Sequence, residues 1–89
     1  METKIKNAVL DIVKGRIERV NYGMCSKHYI RSSSLAICES NNIHITDSLA
    51  YKDTITRNGI IIGEIRYRYA AHKRNGMYKM LAPIISYID

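Results

Sequence analysis

Apolar residues recur every three or four positions between residues 3 and 20, the spacing of one face of an α-helix. These positions are Ile5, Ala8, Val9, Ile12, Val13, Ile17 and Val20. Charged and polar residues fill most of the intervening positions. The pattern predicts an amphipathic helix over 3–20, ended by Gly23. Gly15 lacks a side chain at the middle of this helix, so we expect it to mark close packing on a sheet.

The segment that follows the helix gives a mixed pattern. KHYIR at 27–31 suits a short strand, whereas SSSLAICES at 32–40 suits either a helix opened by a serine cap or a strand. NIHIT at 42–46 alternates apolar and polar residues, with its two isoleucines on one side. That alternation predicts a third short element, a strand with one buried face.

Two Asn-Gly pairs, at 58–59 and 75–76, divide the C-terminal half of the chain. Asn-Gly accepts the positive φ angles of a type I′ turn, and β-rich runs flank both pairs. We therefore predict a three-stranded antiparallel meander with a long central strand over 60–73, and one or two further short strands. The fold class that follows is α+β: a single domain over 1–89, in which the N-terminal amphipathic helix packs on an antiparallel β-sheet.

Charges beside the first turn constrain the register of its two strands. A two-residue turn at 58–59 with no irregularity sets Asp53 opposite Glu64, and like charges in direct opposition are destabilising. A β-bulge at Gly63 would relieve this conflict. It would also change which side of the first strand faces outward.

Positive charge is concentrated near the end of the chain. The chain contains fourteen Lys and Arg and eight Asp and Glu, which gives a net charge of +6. Residues 65–88 contain no acid. Alternation along the central strand puts Arg66, Arg68, His72 and Arg74 on one face. It puts Ile61, Ile65 and Tyr67 on the other face, under the helix. A two-residue turn at 75–76 would bring Lys79 opposite His72. The candidate nucleic-acid-binding residues are Arg66, Arg68, His72, Lys73, Arg74, Tyr78 and Lys79.

These residue types suit the binding of a polyanion. Arg presents a planar fork of donors that matches phosphate oxygens, Lys presents a mobile point charge, and tyrosines can stack on bases. A sheet face suits RNA or a single strand better than duplex DNA. We therefore expect a nucleic-acid partner, with RNA favoured. The competing interpretation is a solvated face whose charge only opposes aggregation.

Other chemistry has weaker support in the sequence. Cys25-x-x-His28 with Cys38 and His44 lacks the second tight ligand pair of a zinc site. The spacing of the histidines demands no catalytic role, so we expect no enzyme activity, no metal and no cofactor. Two cysteines do not make a disulfide scaffold, the start METKIKNAVL has no apolar core of a signal peptide, and no apolar run is long enough to span a membrane. We expect a cytoplasmic protein with no membrane partner.

In style, the chain resembles the small accessory proteins that phages make against host functions. It is one basic domain, rich in Ile, Asn and Lys, with no enzyme motif or targeting signal. The resemblance implies a role in counteracting a host defence such as a toxin nuclease, in the host cytoplasm. It leaves a second function open, a protein-binding inhibitor of a host enzyme or complex with no nucleic-acid role. Because a chain of this size has a thin core, a homodimer is also a candidate state.

Overall fold

The computed structural model describes residues 1–23, 28–71, 78–80 and 83–88, with the backbone alone for 69–71 and 78–80. Two helices come first, α1 (Thr3–Tyr22) and α2 (Ser32–Ser40). Six strands follow: β1 (Ile43–Ile45), β2 (Lys52–Arg57), β3 (Ile60–Arg66), β4 (Tyr69–Ala71), β5 (Tyr78–Met80) and β6 (Ile84–Tyr87). Strands β1-β2-β3-β6 form a four-stranded sheet in that order, and β4 and β5 form a separate pair. All the pairings are antiparallel.

The α+β class predicted from the sequence is confirmed, with α1 packed on the four-stranded sheet. The helix covers 3–22, slightly longer than predicted, and ends at Gly23 with φ +56°. SSSLAICES is a helix rather than a strand, and NIHIT supplies β1 with His44 exposed between two buried isoleucines. KHYIR forms no strand over its described residues 28–31. No helix in the described part of the chain is long and apolar enough to cross a membrane.

The core lies between α1 and the inner face of the sheet. Six of the seven apolar positions predicted for the helix are buried, and Val20 is exposed at the last turn. Ile55 and Ile65 of the sheet are fully buried beneath them. Cys38 of α2 is buried in the same hydrophobic cluster. Burying side chains of this size contributes about 1.5–3 kcal/mol each, which is the main source of stability for the domain.

Gly15 does mark close packing, but against a different partner from the one expected. A Cβ atom at this position would clash with Cγ1 of Ile30, in the segment that leads into α2. Gly15 therefore faces the 28–31 segment and not the sheet. The sequence pattern around Gly15 identifies a close approach without saying which element makes it, because Ile30 belongs to a segment with no clear periodicity.

A β-bulge separates the two ends of the β2–β3 hairpin. Arg57 pairs with Ile60 across the Asn58-Gly59 turn, but Ile55 pairs with Gly63, so Ile62 is the extra residue. The shift moves Asp53 from Glu64 to Ile65 and relieves the like-charge conflict, with the extra residue at Ile62 and not at Gly63, the position predicted. Asp53 and Ile55 consequently face the core. Ile61, predicted to lie under the helix, is 56% exposed before the bulge.

The single long strand predicted over 60–73 is instead two strands in two sheets. Strand β3 ends at Arg66 and pairs with β2 on one side and β6 on the other. Strand β6 therefore takes the place predicted for the third strand of the meander. Strand β4 pairs with β5 in a register that sets Lys79 opposite Ala70, not opposite His72. The second Asn-Gly pair at 75–76 lies outside the described residues.

The Asn58-Gly59 turn offers a direct test of the hairpin. Both residues have positive φ, +53° and +81°, and no heavy atom lies near the place where a Gly59 side chain would sit. Gly59→Val should therefore destabilise the protein through backbone strain alone, by about 1–3 kcal/mol. The measurement is the urea midpoint at unchanged slope, with Asn58→Gly as the control that keeps the required φ. A Gly59→Val protein as stable as the parent would contradict the turn.

Candidate nucleic-acid interface

The outer face of the four-stranded sheet carries exposed cations at one end. Lys52 of β2 lies opposite Arg66 of β3, and both side chains are exposed. The bulge makes this pairing, because without it Lys52 would face the other way. The next row on the same face holds Glu64 opposite Thr54. Two cations and one acid thus stand on adjacent rows of an open, pleated surface.

Glu64 forms ion pairs with both cations. Its Oε1 atom accepts a hydrogen bond from Nε of Arg66 at 3.1 Å, and its Oε2 atom lies 3.6 Å from Nζ of Lys52. All three side chains are one-third or more exposed, so these ion pairs add little to stability. They do neutralise part of the positive charge that the sequence assigns to Arg66.

Two further exposed residues extend this end of the sheet. Arg68 follows β3 and is exposed, and Tyr51 precedes β2 with 70% of its surface accessible. The backbone N–H of Tyr67 donates to the carbonyl oxygen of Tyr51, which brings the two chain segments together. Tyr51, Lys52, Arg66 and Arg68 are called the cationic end of the sheet below. Together they offer three positive charges and one aromatic ring to solvent.

The other predicted binding residues are placed only in part. Tyr78 and Lys79 belong to β5, where they lie opposite Ala71 and Ala70. Ala70 is two residues beyond Arg68, so the β4–β5 pair begins where the cationic end stops. His72, Lys73 and Arg74 lie outside the described residues. The structure thus describes Arg66 and Arg68 as exposed residues at one end of the sheet and adds Lys52, which was not among the predicted binding residues.

A buried carboxylate organises the loop beside the cationic end. Asp53 is 1% exposed and points inward, one residue after Lys52. The described residues around it donate five hydrogen bonds to its two oxygens. The donors are the hydroxyls of Thr46, Ser48 and Tyr67 and the backbone N–H groups of Ser48 and Leu49, at 2.5–3.0 Å. One side chain thus accepts hydrogen bonds from four polar groups of the 46–49 loop.

These hydrogen bonds fix the charge state of the carboxylate. Burial alone would raise the pKa of Asp53, but the bonds from Tyr67, Thr46, Ser48 and Leu49 outweigh it and hold the pKa well below its usual value. Burial and the neighbouring Asp53 charge in turn raise the pKa of the Tyr67 phenol far above its usual range. Asp53 is therefore ionised and Tyr67 protonated throughout the physiological range, and the pair is a permanent structural contact.

Arg16 holds the same loop from the helix. Its Nη1 atom donates to the carbonyl oxygens of Ile45 and Thr46 at 3.2 and 2.9 Å, and its Nε lies 3.7 Å from Asp47. The loop is thereby fastened to α1 as well as to β2. Tyr51 and Lys52 follow directly after this loop, so their positions depend on Asp53 and Arg16 although neither is on the outer face.

A second cationic region lies in a groove of about 420 Å³ between α1 and α2. Lys4, Lys14 and Arg31 line it. Asp11 lies in the same groove, where Oδ1 is 2.9 Å from Nε2 of His28 and Oδ2 accepts the Arg31 N–H at 2.9 Å. Burial opposes ionisation of Asp11, but these hydrogen bonds lower its pKa. A carboxylate therefore already occupies the N-terminal end of α2, which makes the groove a poorer site for phosphate than the cationic end.

The weak zinc pattern is not assembled in the part of the chain that is described. No group of three or more His, Cys, Asp or Glu side chains there could hold a metal ion. Cys38 is a buried free thiol in the core, and His44 is exposed on β1. Cys25 lies outside the described residues.

The chain was compared with known proteins by sequence and by structure. No protein-family model, no curated protein and no solved structure matches it.

Proposed function

We propose that this protein binds nucleic acid without catalysis, RNA or a single strand in preference to duplex DNA, through the cationic end of the sheet and the β4–β5 pair that continues from it. The observation that carries the proposal is the row formed by Lys52 and Arg66, with Arg68 beyond it and Tyr51 beside it. A net charge of +6 supplies long-range attraction for a polyanion. In this role the protein would be an accessory factor, such as a phage factor that counteracts a host defence.

The geometry supports a single strand for two reasons. The outer sheet face exposes the row of Lys52 and Arg66, and Tyr51 beside it is 70% exposed and offers a ring for base stacking worth about 1–3 kcal/mol. Arg66 and Arg68 are two residues apart, so their backbone positions differ by about 7 Å. That interval is close to the spacing of phosphates along an extended strand.

Salt dependence tests this proposal. Binding of a fluorescent single-stranded RNA should weaken steeply with salt, because each neutralised phosphate releases counterions. With three to four phosphate contacts we expect a log–log slope of about −2 to −3. The measurement is the dissociation constant between 50 and 300 mM salt, with poly-U, mixed-sequence RNA and duplex DNA compared. Absence of binding at 50 mM salt would overturn the proposal.

Removal of Glu64 should strengthen binding. Glu64→Gln takes away the acid that pairs with Lys52 and Arg66 on the outer face and leaves both cations available to phosphates. We expect roughly three- to tenfold tighter RNA binding at low salt and a steeper salt slope. Glu39→Gln makes the same charge change on the exposed face of α2 and should change affinity by less than about twofold. Equal gains in the two variants would mean that net charge alone controls affinity.

A second candidate function is the binding of a protein partner. Four isoleucines of the sheet region are 43–69% exposed: Ile60, Ile61, Ile84 and Ile88. Exposed apolar surface of this kind is typical of protein-binding sites. An inhibitor of a host enzyme would use such residues as anchors. Salt separates the two functions, because an apolar contact loses little affinity between 50 and 300 mM salt.

A further inference from the structure

Strand β6 leaves one edge of the four-stranded sheet unpaired by any strand in the described chain. It follows β3 at the end of the sheet order, so its outer backbone edge faces away from the sheet. The run Ile84–Ile88 contains no charge, no proline and no bulge. Natural edge strands usually carry at least one of these protections against pairing. β6 lacks all three, although the chain is otherwise strongly cationic.

The backbone groups that face outward can be identified from the register. The N–H of Ile88 donates to the carbonyl oxygen of Ile62 at 2.8 Å, so Ile88 points its backbone groups toward β3. In an antiparallel ladder this direction alternates. Ser86 and Ile84 therefore also bond to β3, and Ile85 and Tyr87 present their N–H and C=O groups at the open edge.

We propose that two copies of this chain pair through β6, antiparallel about a two-fold axis at Ser86. In that register Ile85 of each copy lies opposite Tyr87 of the other, so all four outward N–H groups find carbonyl partners. Ser86 faces its own counterpart, and Ile84 faces Ile88 of the second copy. The exposed isoleucines of the outer face thereby cover each other. The segment is self-complementary, which a two-fold interface requires.

Charge favours a second copy at this edge over other sites of self-association. Two molecules of charge +6 repel each other, because fourteen Lys and Arg outnumber eight Asp and Glu. The β6 edge lets them approach with uncharged strands in contact. The interface is small, so we expect a reversible dimer with a dissociation constant of roughly 10–500 µM rather than an obligate one.

Pairing would also join the two outer faces into one eight-stranded surface. The cationic ends would then lie on the same face, with Arg66 of the two copies roughly 20 Å apart from the strand rise and spacing. One nucleic-acid strand could reach both, which would raise its effective affinity. This consequence rests on the proposed function, but the dimer does not, because it is measured without nucleic acid.

Sedimentation velocity between 10 µM and 1 mM, without nucleic acid, tests the dimer. The parent should shift from monomer to dimer, and Ser86→Lys should remain monomeric, because it sets two ammonium groups opposite each other at the axis. Ser40→Lys adds the same charge at the exposed end of α2 and should dimerise like the parent.

Disulfide trapping adds a positive test. Ser86→Cys should form a covalent dimer under mild oxidation, because opposed non-hydrogen-bonded residues have Cα atoms about 4.5 Å apart, within disulfide range. The parent, with its own Cys25 and Cys38, should not form it under the same conditions. A monomeric parent at 1 mM, or a dimer unaffected by Ser86→Lys, would overturn the proposal. Capture of a different protein by the edge of a monomeric parent would overturn it in favour of the protein-binding alternative.

Discussion

Replacement of Asp53 by alanine is expected to destabilise the protein by about 3–5 kcal/mol, a large part of the roughly 5–10 kcal/mol available to a domain of this size. The loss follows from the five hydrogen bonds that the buried carboxylate accepts. Alanine would leave buried donors of the 46–49 loop and of Tyr67 without an acceptor. The measurement is the free energy of unfolding in urea at pH 7.

The neighbouring Asp47 provides the matched control. Its side chain is 57% exposed, and its ion pair with Nε of Arg16 is long, at 3.7 Å. Because exposed ion pairs of this kind add little stability, Asp47→Ala should cost less than about 0.5 kcal/mol. Equal losses for the two variants would show that the Asp53 network is not what holds the loop.

The effect should depend on pH in a defined direction. The pKa of Asp53 is lowered in the folded protein, so its stabilising contribution is complete above the unfolded pKa, near 3.8, and declines as the pH falls below it. The difference between parent and Asp53→Ala should therefore shrink below about pH 4. Asp11, whose pKa is also lowered, contributes to the same acid limb in both proteins.

Reversal of both arginines at the cationic end should produce the largest loss of RNA binding. Arg66→Glu with Arg68→Glu changes the local charge by four units and places acids where phosphates would lie. We expect roughly ten- to a hundredfold weaker binding at 50 mM salt, with the salt slope reduced by about 1.4, or about 0.7 for each lost contact. Fluorescence anisotropy measures both, and circular dichroism confirms that the variant is folded.

The groove between the helices supplies the control for this reversal. Lys4→Glu with Lys14→Glu makes the same four-unit change at two exposed positions of α1. This variant should bind RNA within about threefold to fivefold of the parent, because it changes only the long-range field. If it loses as much affinity as the arginine variant, net charge rather than the cationic end is responsible.

Local patterns in the sequence predicted the elements whose contacts are local. The spacing from Ile5 to Ile17 gives α1, and Asn58-Gly59 gives a hairpin, because each depends on residues a few positions apart. The conflict between Asp53 and Glu64 also indicated a bulge near Gly63. A bulge there reverses the faces of β2, so it also predicts that Asp53 points inward and Lys52 outward. A buried carboxylate needs hydrogen-bond donors, so the sequence could have indicated the network around Asp53.

The break after Arg66 could not be predicted in the same way. EIRYRYAAHK has strand propensity throughout, and nothing local separates Arg66 from Tyr69. The described chain leaves the sheet where the Tyr67 side chain bonds to Asp53, 14 residues earlier, and where its N–H bonds to Tyr51. Pairing of β3 with β6 then occupies the edge that the third strand was expected to take. These contacts between distant segments determine the outcome.

The most direct test of RNA binding at the cationic end is an amide chemical-shift map. A ¹⁵N-labelled sample titrated with a short oligouridine at 50 mM salt should show its largest shifts at Tyr51, Lys52, Arg66 and Arg68 and along β4 and β5. The amides of α1 and α2 should stay nearly unchanged. Shifts confined to the groove between the helices, or none at all, would contradict the account.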